Sequence, residues 1–217
     1  MKADPQAIEI CRKRAQDHID RVQFFYKKLV ELGAIPEEDI DLARVAKHDA
    51  DKLIPKNLER QALRFTNSGT ISPEAEKEIN DVIREHVKTN PHHSEYWGGP
   101  GVDHLSKGVD CTKEPDTYLY EMVADWMATA EERGTKCIDW FNKCIPERWI
   151  YNEHQCDLIK RCIGLLNKYQ GPKRDYGFTY VDPAQMKKMT QKSDIKETVN
   201  KLTAAVNKLT EKLTKCK

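Results

Sequence analysis

Five of the seven histidines, His18, His48, His86, His92 and His93, fall within the first 93 of 217 residues. His48 stands directly before Asp49, and a further aspartate, Asp125, follows well downstream. Neutral imidazole and carboxylate are donors that divalent first-row metals accept. A bound cation would also compensate aspartates held away from water. One histidine in an apolar seam is ordinarily a satisfied core residue. Several of them, with two inward-looking aspartates, point to a metal site.

Helices must position these donors. Ile8, Cys11, Ala15, His18, Val22, Phe25, Leu29 and Leu32 recur at steps of three and four up to Gly33, which predicts a long amphipathic helix with His18 in its seam. A second helix is expected from Pro36, with Glu37, Glu38 and Asp39 in its first turn, through Ile40, Ala43 and Ala46. It would deliver His48 and Asp49 at its far end. Residues 55–65 read as a short helix, and Ser72-Pro73 caps another that carries Ala75, Ile79, Val82 and His86. The stretch from Thr89 to Pro115 is broken by Pro91 and several glycines, and so reads as a long loop. Tyr118, Met122, Asp125 and Thr129 run beside Leu119, Val123 and Trp126, placing Asp125 on or beside an inward helical face, where it needs a partner. Helical pieces follow at 136–144 and 152–168, then a connector at 171–183. With no set of alternating strands, the body is expected to be all-α.

A histidine on the first helix, a His-Asp doublet closing a later helix and an aspartate on a downstream helix resemble the HD-domain superfamily of metal-dependent phosphohydrolases, over about residues 8–170. The finer pattern KHDADK, NPHHSEYW and EMVADW is similar to that of a phage and bacterial group of HD-like proteins. The resemblance implies an HD-domain-like helical bundle and a metal held by His18, His48, Asp49 and Asp125. It also implies open positions for water and a small phosphorylated substrate, a nucleotide foremost, cleaved by a metal-bound hydroxide. The cofactor would be one or two divalent ions of Mn, Fe, Co, Ni or Zn. In members with two metals the doublet aspartate bridges, and His86 with one or both of His92 and His93 would hold the second ion.

Two departures qualify the resemblance. His86 and His92 lie closer together than the extra histidines of such proteins commonly do, so Asn90-Pro91 must turn the chain back. Without that turn one ion remains, and His86 and His92 become general acids or phosphate donors. Lys52 stands where one-metal nucleotidases often carry a glutamate; a lysine can instead pin a phosphoryl oxygen. Lys52, His86 and His92 are therefore the catalytic candidates. The HDxxK doublet also resembles that of HD-type cyclic-dinucleotide phosphodiesterases and of mixed-valent di-iron oxygenases, which sets an oxidative alternative beside hydrolysis. A third alternative is a non-catalytic helical adaptor whose metal is structural.

Around this core, Arg84 and Lys88 could add positive potential or form a solvated face. Glu95, Tyr96 and Trp97 read equally as a lid over the site or as a loop anchor, and His104 and His154 as surface residues. Charged residues make up 33% of the chain and hydrophobic ones 39%. No stretch approaches the roughly 18 apolar residues of a membrane span, and the first residues lack the apolar core of a signal peptide. The seven cysteines form no CxxC pair. A reducing cytoplasm is therefore expected, with Cys156 and Cys162 as buried thiols. Net charge is +1, with a basic tail and a mildly acidic body, which does not indicate a nucleic-acid surface. Within that tail, residues 184–217, Ile195, Val199, Leu202, Val206, Leu209, Leu213 and Cys216 keep alternating four and three spacing. This predicts an amphipathic helix over 194–216 that either packs on the metal-binding body, residues 1–183, or pairs two chains as a coiled coil.

Overall fold

The computed structural model describes residues 2–66 and 72–176. The expected tail helix and its coiled-coil pairing lie outside the described residues. Helix α1 (Pro5–Glu31) starts on Asp4, whose side chain accepts a hydrogen bond from the Gln6 amide, and the chain leaves it through Gly33 at φ +63°. Its buried face, Ala7, Cys11, Ala15, Ile19, Val22, Phe25, Tyr26 and Leu29, keeps the predicted period.

The segment after Pro36 departs from the expected single helix. A 3-10 turn at Glu37–Asp39 is followed by a break and then by the four-residue α2 (Leu42–Val45). Tyr26 causes the break. Its hydroxyl donates to the Asp39 carbonyl at 3.3 Å and accepts from the Asp41 amide at 3.1 Å, taking both groups out of any helical ladder. Asp41 then caps α2 by accepting from the Arg44 amide. The His48-Asp49 doublet accordingly sits in the turn beyond α2, and Asp49 opens a 3-10 turn, Ala50–Leu53.

Helix α3 (Pro55–Thr66) is present as expected, and α4 (Pro73–Thr89) begins on Ser72, which accepts from the Ala75 amide. The expected loop contains a single helical turn, α5 (Ser94–Trp97), and a two-residue strand β1 (Val109–Asp110). Helix α6 (Asp116–Arg133) ends at Gly134 in the left-handed region. Helix α7 (Cys137–Cys144) precedes β2 (Trp149–Ile150), which pairs in parallel with β1. Helix α8 (Glu153–Leu166) carries a capping box between Asn152 and Gln155. Among the described residues the all-α expectation holds apart from this one short ladder.

Two apolar clusters lie along α1. The larger joins Val22, Phe25, Tyr26 and Leu29 to α6 and α8 through Leu119, Met122, Val123, Met127, Ile159, Ile163 and Leu166. The smaller joins Ala7 and Cys11 to Leu58, Ala62 and Leu63 of α3 and Ile79 of α4. His18 lies between the two along α1. Burial of the Val, Leu, Ile, Phe and Met side chains among them stabilises the fold by roughly 1.5–3 kcal/mol each before conformational entropy is counted. The cores therefore fix α1, α6 and α4 rigidly around the point where polar side chains interrupt them. Among the described residues, no helix is long and apolar enough to cross a membrane.

Candidate metal centre

Four segments bring the candidate donors together. Helix α1 supplies His18, the turn after α2 supplies His48 and Asp49, α4 and the turn beyond it supply His86, His92 and His93, and α6 supplies Asp125. Asn90 ends α4 in an extended conformation, with its side-chain amide donating to the His86 carbonyl at 2.8 Å. The chain thus folds back so that His92 and His93 face the helix that carries His86. The turn expected at Asn90-Pro91 does occur.

Asp49 is fully buried and adopts φ +54°, ψ +20°, a left-handed conformation that aspartate tolerates better than most side chains. That conformation leaves its carboxylate between two sets of imidazoles. Oδ1 lies 3.3 Å from His86 Nε2 and 3.4 Å from His92 Nε2. Oδ2 lies 3.5 Å from His18 Nε2 and 3.4 Å from His48 Nε2. His18 Nε2 is in turn 3.0 Å from Asp125 Oδ1, and His93 Nε2 is 2.8 Å from His86 Nε2. Two donor groups flank the Asp49 carboxylate, His18, His48 and Asp125 on one side and His86, His92 and His93 with Asp49 on the other, and a third, His48, His92 and Glu121, overlaps both.

These separations fit ligation. Metal bonds of about 2.0–2.2 Å place neighbouring donors of one ion about 2.8–3.6 Å apart, from right-angle to tetrahedral geometry. Every separation above falls in that interval. The buried atoms His18 Nε2, His48 Nε2, His92 Nε2 and Asp49 Oδ1 also lack a hydrogen-bond partner. Orphaned polar atoms inside a protein are costly, and cations held between the rings and the carboxylates would satisfy them. The residues present therefore fit a metal ion.

Charge points the same way. Asp49, Asp51, Glu121 and Asp125 face two fixed cations, Lys52 on Asp49 and Arg44 on Glu121, so neutral imidazoles leave the cluster two charges negative. Without an ion the cluster holds protons instead. Burial would lower the His48 pKa, but Asp49, Glu121 and Asp125 outweigh it and lift the imidazole to about 10. Burial would raise Asp49, yet His48, Lys52 and His86 hold it well below the usual carboxylate range. Asp125, also penalised by burial, is held low by His18 and His48. Burial and the charge of His48 lower His92, and burial with His92 and His86 lowers His93 further, so these two rings are neutral donors.

Two residues that the sequence pattern did not single out complete the centre. Glu121, one turn before Asp125 on α6, lies 2.9 Å from His48 Nδ1 and is held by Arg44 Nε at 2.8 Å. Asp51, two residues after Asp49, lies 2.8 Å from His86 Nδ1. The signal for Glu121 was its (i, i+4) relation to Asp125, which puts both acids on one helical face. Carboxylates on the far ring nitrogen orient metal-bound histidines and raise their basicity.

Of the surrounding candidates, Lys52 lies on Asp49 Oδ2 with its side chain one-third exposed. In the Glu95-Tyr96-Trp97 segment two residues anchor, Glu95 buried on Arg148 and the Trp97 indole donating to the Pro91 carbonyl, while Tyr96 is exposed. Arg84 pairs with Asp81 and Asp103 on a solvated face, and Lys88 is exposed. His154 is exposed as expected, but His104 is half-buried with its Nδ1 enclosed. Cys162 is buried, whereas Cys156 is only partly so.

No curated protein and no solved structure matches this chain. Residues 8–165 match the model of a family of unknown function, DUF5662, a stretch that contains every donor from His18 to Asp125, and the chain belongs to that family.

Proposed function

We propose that the protein is a metal-dependent phosphohydrolase of HD type that acts on a nucleotide or another small phosphate ester with two divalent ions. The observation that carries this reading is Asp49, which directs one carboxylate oxygen at each of two histidine groups. His18, His48 and Asp125 would hold one ion, His86, His92 and His93 the other, and Asp49 both. When bound, such ions supply Lewis acidity toward a phosphoryl oxygen and make water nucleophilic near neutral pH.

The chain's own residues do the rest. Lys52 offers a partly exposed ammonium beside Asp49 and binds a non-bridging phosphate oxygen as a point charge. Asp49 and Asp125 together raise the Lys52 pKa against the effect of burial, so the side chain stays charged. Burial of the rings behind apolar helices keeps bulk water from competing for the donors. Six thiols among the described residues, none in a disulfide, support a reducing compartment such as the cytoplasm.

Protein purified without chelator, assayed for phosphate release over nucleotides and simple phosphate esters with added Mn2+ or Co2+, tests the proposal. Release that chelator abolishes supports it. Two irons with oxygen-dependent turnover would replace it with the di-iron oxygenase, and bound ions with no turnover would replace it with the adaptor.

A further inference from the structure

Glu121 occupies a position that neither donor group accounts for alone. It is buried on α6, and its Oε1 lies 2.9 Å from His48 Nδ1 and 3.5 Å from His92 Nδ1. His48 belongs to the group that contains Asp125, and His92 to the group that contains His86. The His48 and His92 rings also sit close, with centroids 4.2 Å apart. One carboxylate oxygen therefore faces an imidazole from each side of Asp49.

Glu121 itself cannot swing away. Arg44 Nε donates to its Oε2 at 2.8 Å, while the same guanidinium donates to the Thr117 carbonyl at 2.8 Å and lies over the Tyr118 ring. The anchor runs from α2 to the first turn of α6. His48, His92 and Glu121 also lie close enough to share an ion of their own. Two facts favour orientation over ligation: Arg44 already neutralises Glu121, and the two Nε2 atoms, on the far side of the rings, are the ones left without partners. A ring that donates Nδ1–H to a carboxylate presents its Nε2 lone pair to a metal.

We propose that Glu121 is a positioning residue that couples the two donor groups, orienting His48 for one ion and His92 for the other through a single carboxylate oxygen. The inference rests on the two-ion reading above. Asp51 is the contrast, because the histidine its carboxylate meets is His86, and so it serves one group.

In Glu121→Gln, Arg44 takes the amide oxygen, and the amide nitrogen is turned toward both Nδ1 atoms. Each ring then accepts at Nδ1 and carries its proton on Nε2, where it cannot ligate. Carboxylates in this position typically contribute about 10–100-fold in metal affinity. The test is titration of chelator-stripped protein with Co2+, read as the number of ions and each affinity from the visible absorption of the bound metal. Circular dichroism of the stripped variants provides the control for folding. The expected result is two ions in the wild type, both affinities reduced about 10–100-fold in Glu121→Gln, and one reduced in Asp51→Asn. Wild-type affinities for both ions in a folded Glu121→Gln, or loss confined to one ion, would overturn the coupling while leaving the two-ion reading intact. Fewer than two ions in the wild type would overturn the two-ion reading and the coupling with it.

Discussion

His93 Nε2 stands 2.8 Å from His86 Nε2, contributed by the helix that ends just before it. At that distance two bare imidazoles can share one proton, or both can turn lone pairs toward one cation. Replacing His93 with Ala removes a donor from one group only. The expected outcome is a drop from two bound ions to one in elemental analysis, with the ion at His18, His48 and Asp125 kept. Two ions retained at wild-type affinity would place His93 outside the centre.

Asp49 offers a cleaner test than an alanine scan. Its left-handed φ of +54° is tolerated by Asn at least as well as by Asp, so Asp49→Asn keeps the turn while removing the charge shared by both groups. Both ions should be lost from a folded protein, and phosphate release with them. A metal-replete, active Asp49→Asn would contradict the bridging role.

Chelation should also lower thermal stability, because the ions bind the folded chain alone. At free metal one hundred times the Kd each ion contributes about 2.7 kcal/mol. For a domain of this size that corresponds to roughly 5–10 °C in Tm for each ion. A melting temperature unmoved by chelator and by added Mn2+, Co2+ or Zn2+ would count against a resident ion.

Lys52 is proposed to meet substrate rather than metal. Lys52→Met should therefore leave the ion count unchanged and reduce kcat/KM by about 10–100-fold, the range for one hydrogen bond to a charged group. Loss of metal in this variant would make Lys52 a support for Asp49 instead.

A separate buried acid sets a pH dependence. Glu114 Oε2 accepts from the Tyr151 hydroxyl at 3.0 Å, while Oε1 is enclosed without a partner. Burial raises its pKa well above the usual 4.5; the Tyr151 bond opposes this, and Glu95 adds to it. A carboxyl whose folded pKa is raised contributes its stability fully below the unfolded value and loses it as pH rises through the folded one. Glu114→Gln, neutral at every pH, should gain on the wild type in Tm as pH rises from 5 to 8, by about 3–6 °C for every tenfold weakening of the acid on folding. A difference that stays constant or shrinks over that range would show that the acid is ionised throughout.

Much of this centre is legible in the sequence alone. His18, His86 and Asp125 lie on helices long and regular enough for the apolar period to fix the inward face, and all three side chains are turned inward. The stretch from Pro36 to Asp49 misleads because its helical signals are local, whereas the Tyr26 hydroxyl that breaks it comes from another helix. Glu121 and Asp51 escape notice for a similar reason. An acid that holds a histidine looks like any surface acid until the fold brings the ring to it. The two-residue ladder between β1 and β2 is too short to leave an alternating pattern.

Anomalous X-ray scattering from crystals grown with Co2+ or Zn2+ tests the central claim most directly. Two peaks per chain are expected, about 3.5–4 Å apart. One should lie within bonding distance of Asp49 Oδ1, His86, His92 and His93, and the other of Asp49 Oδ2, His18, His48 and Asp125. No peak at Asp49, or a single ion elsewhere on the chain, would contradict it.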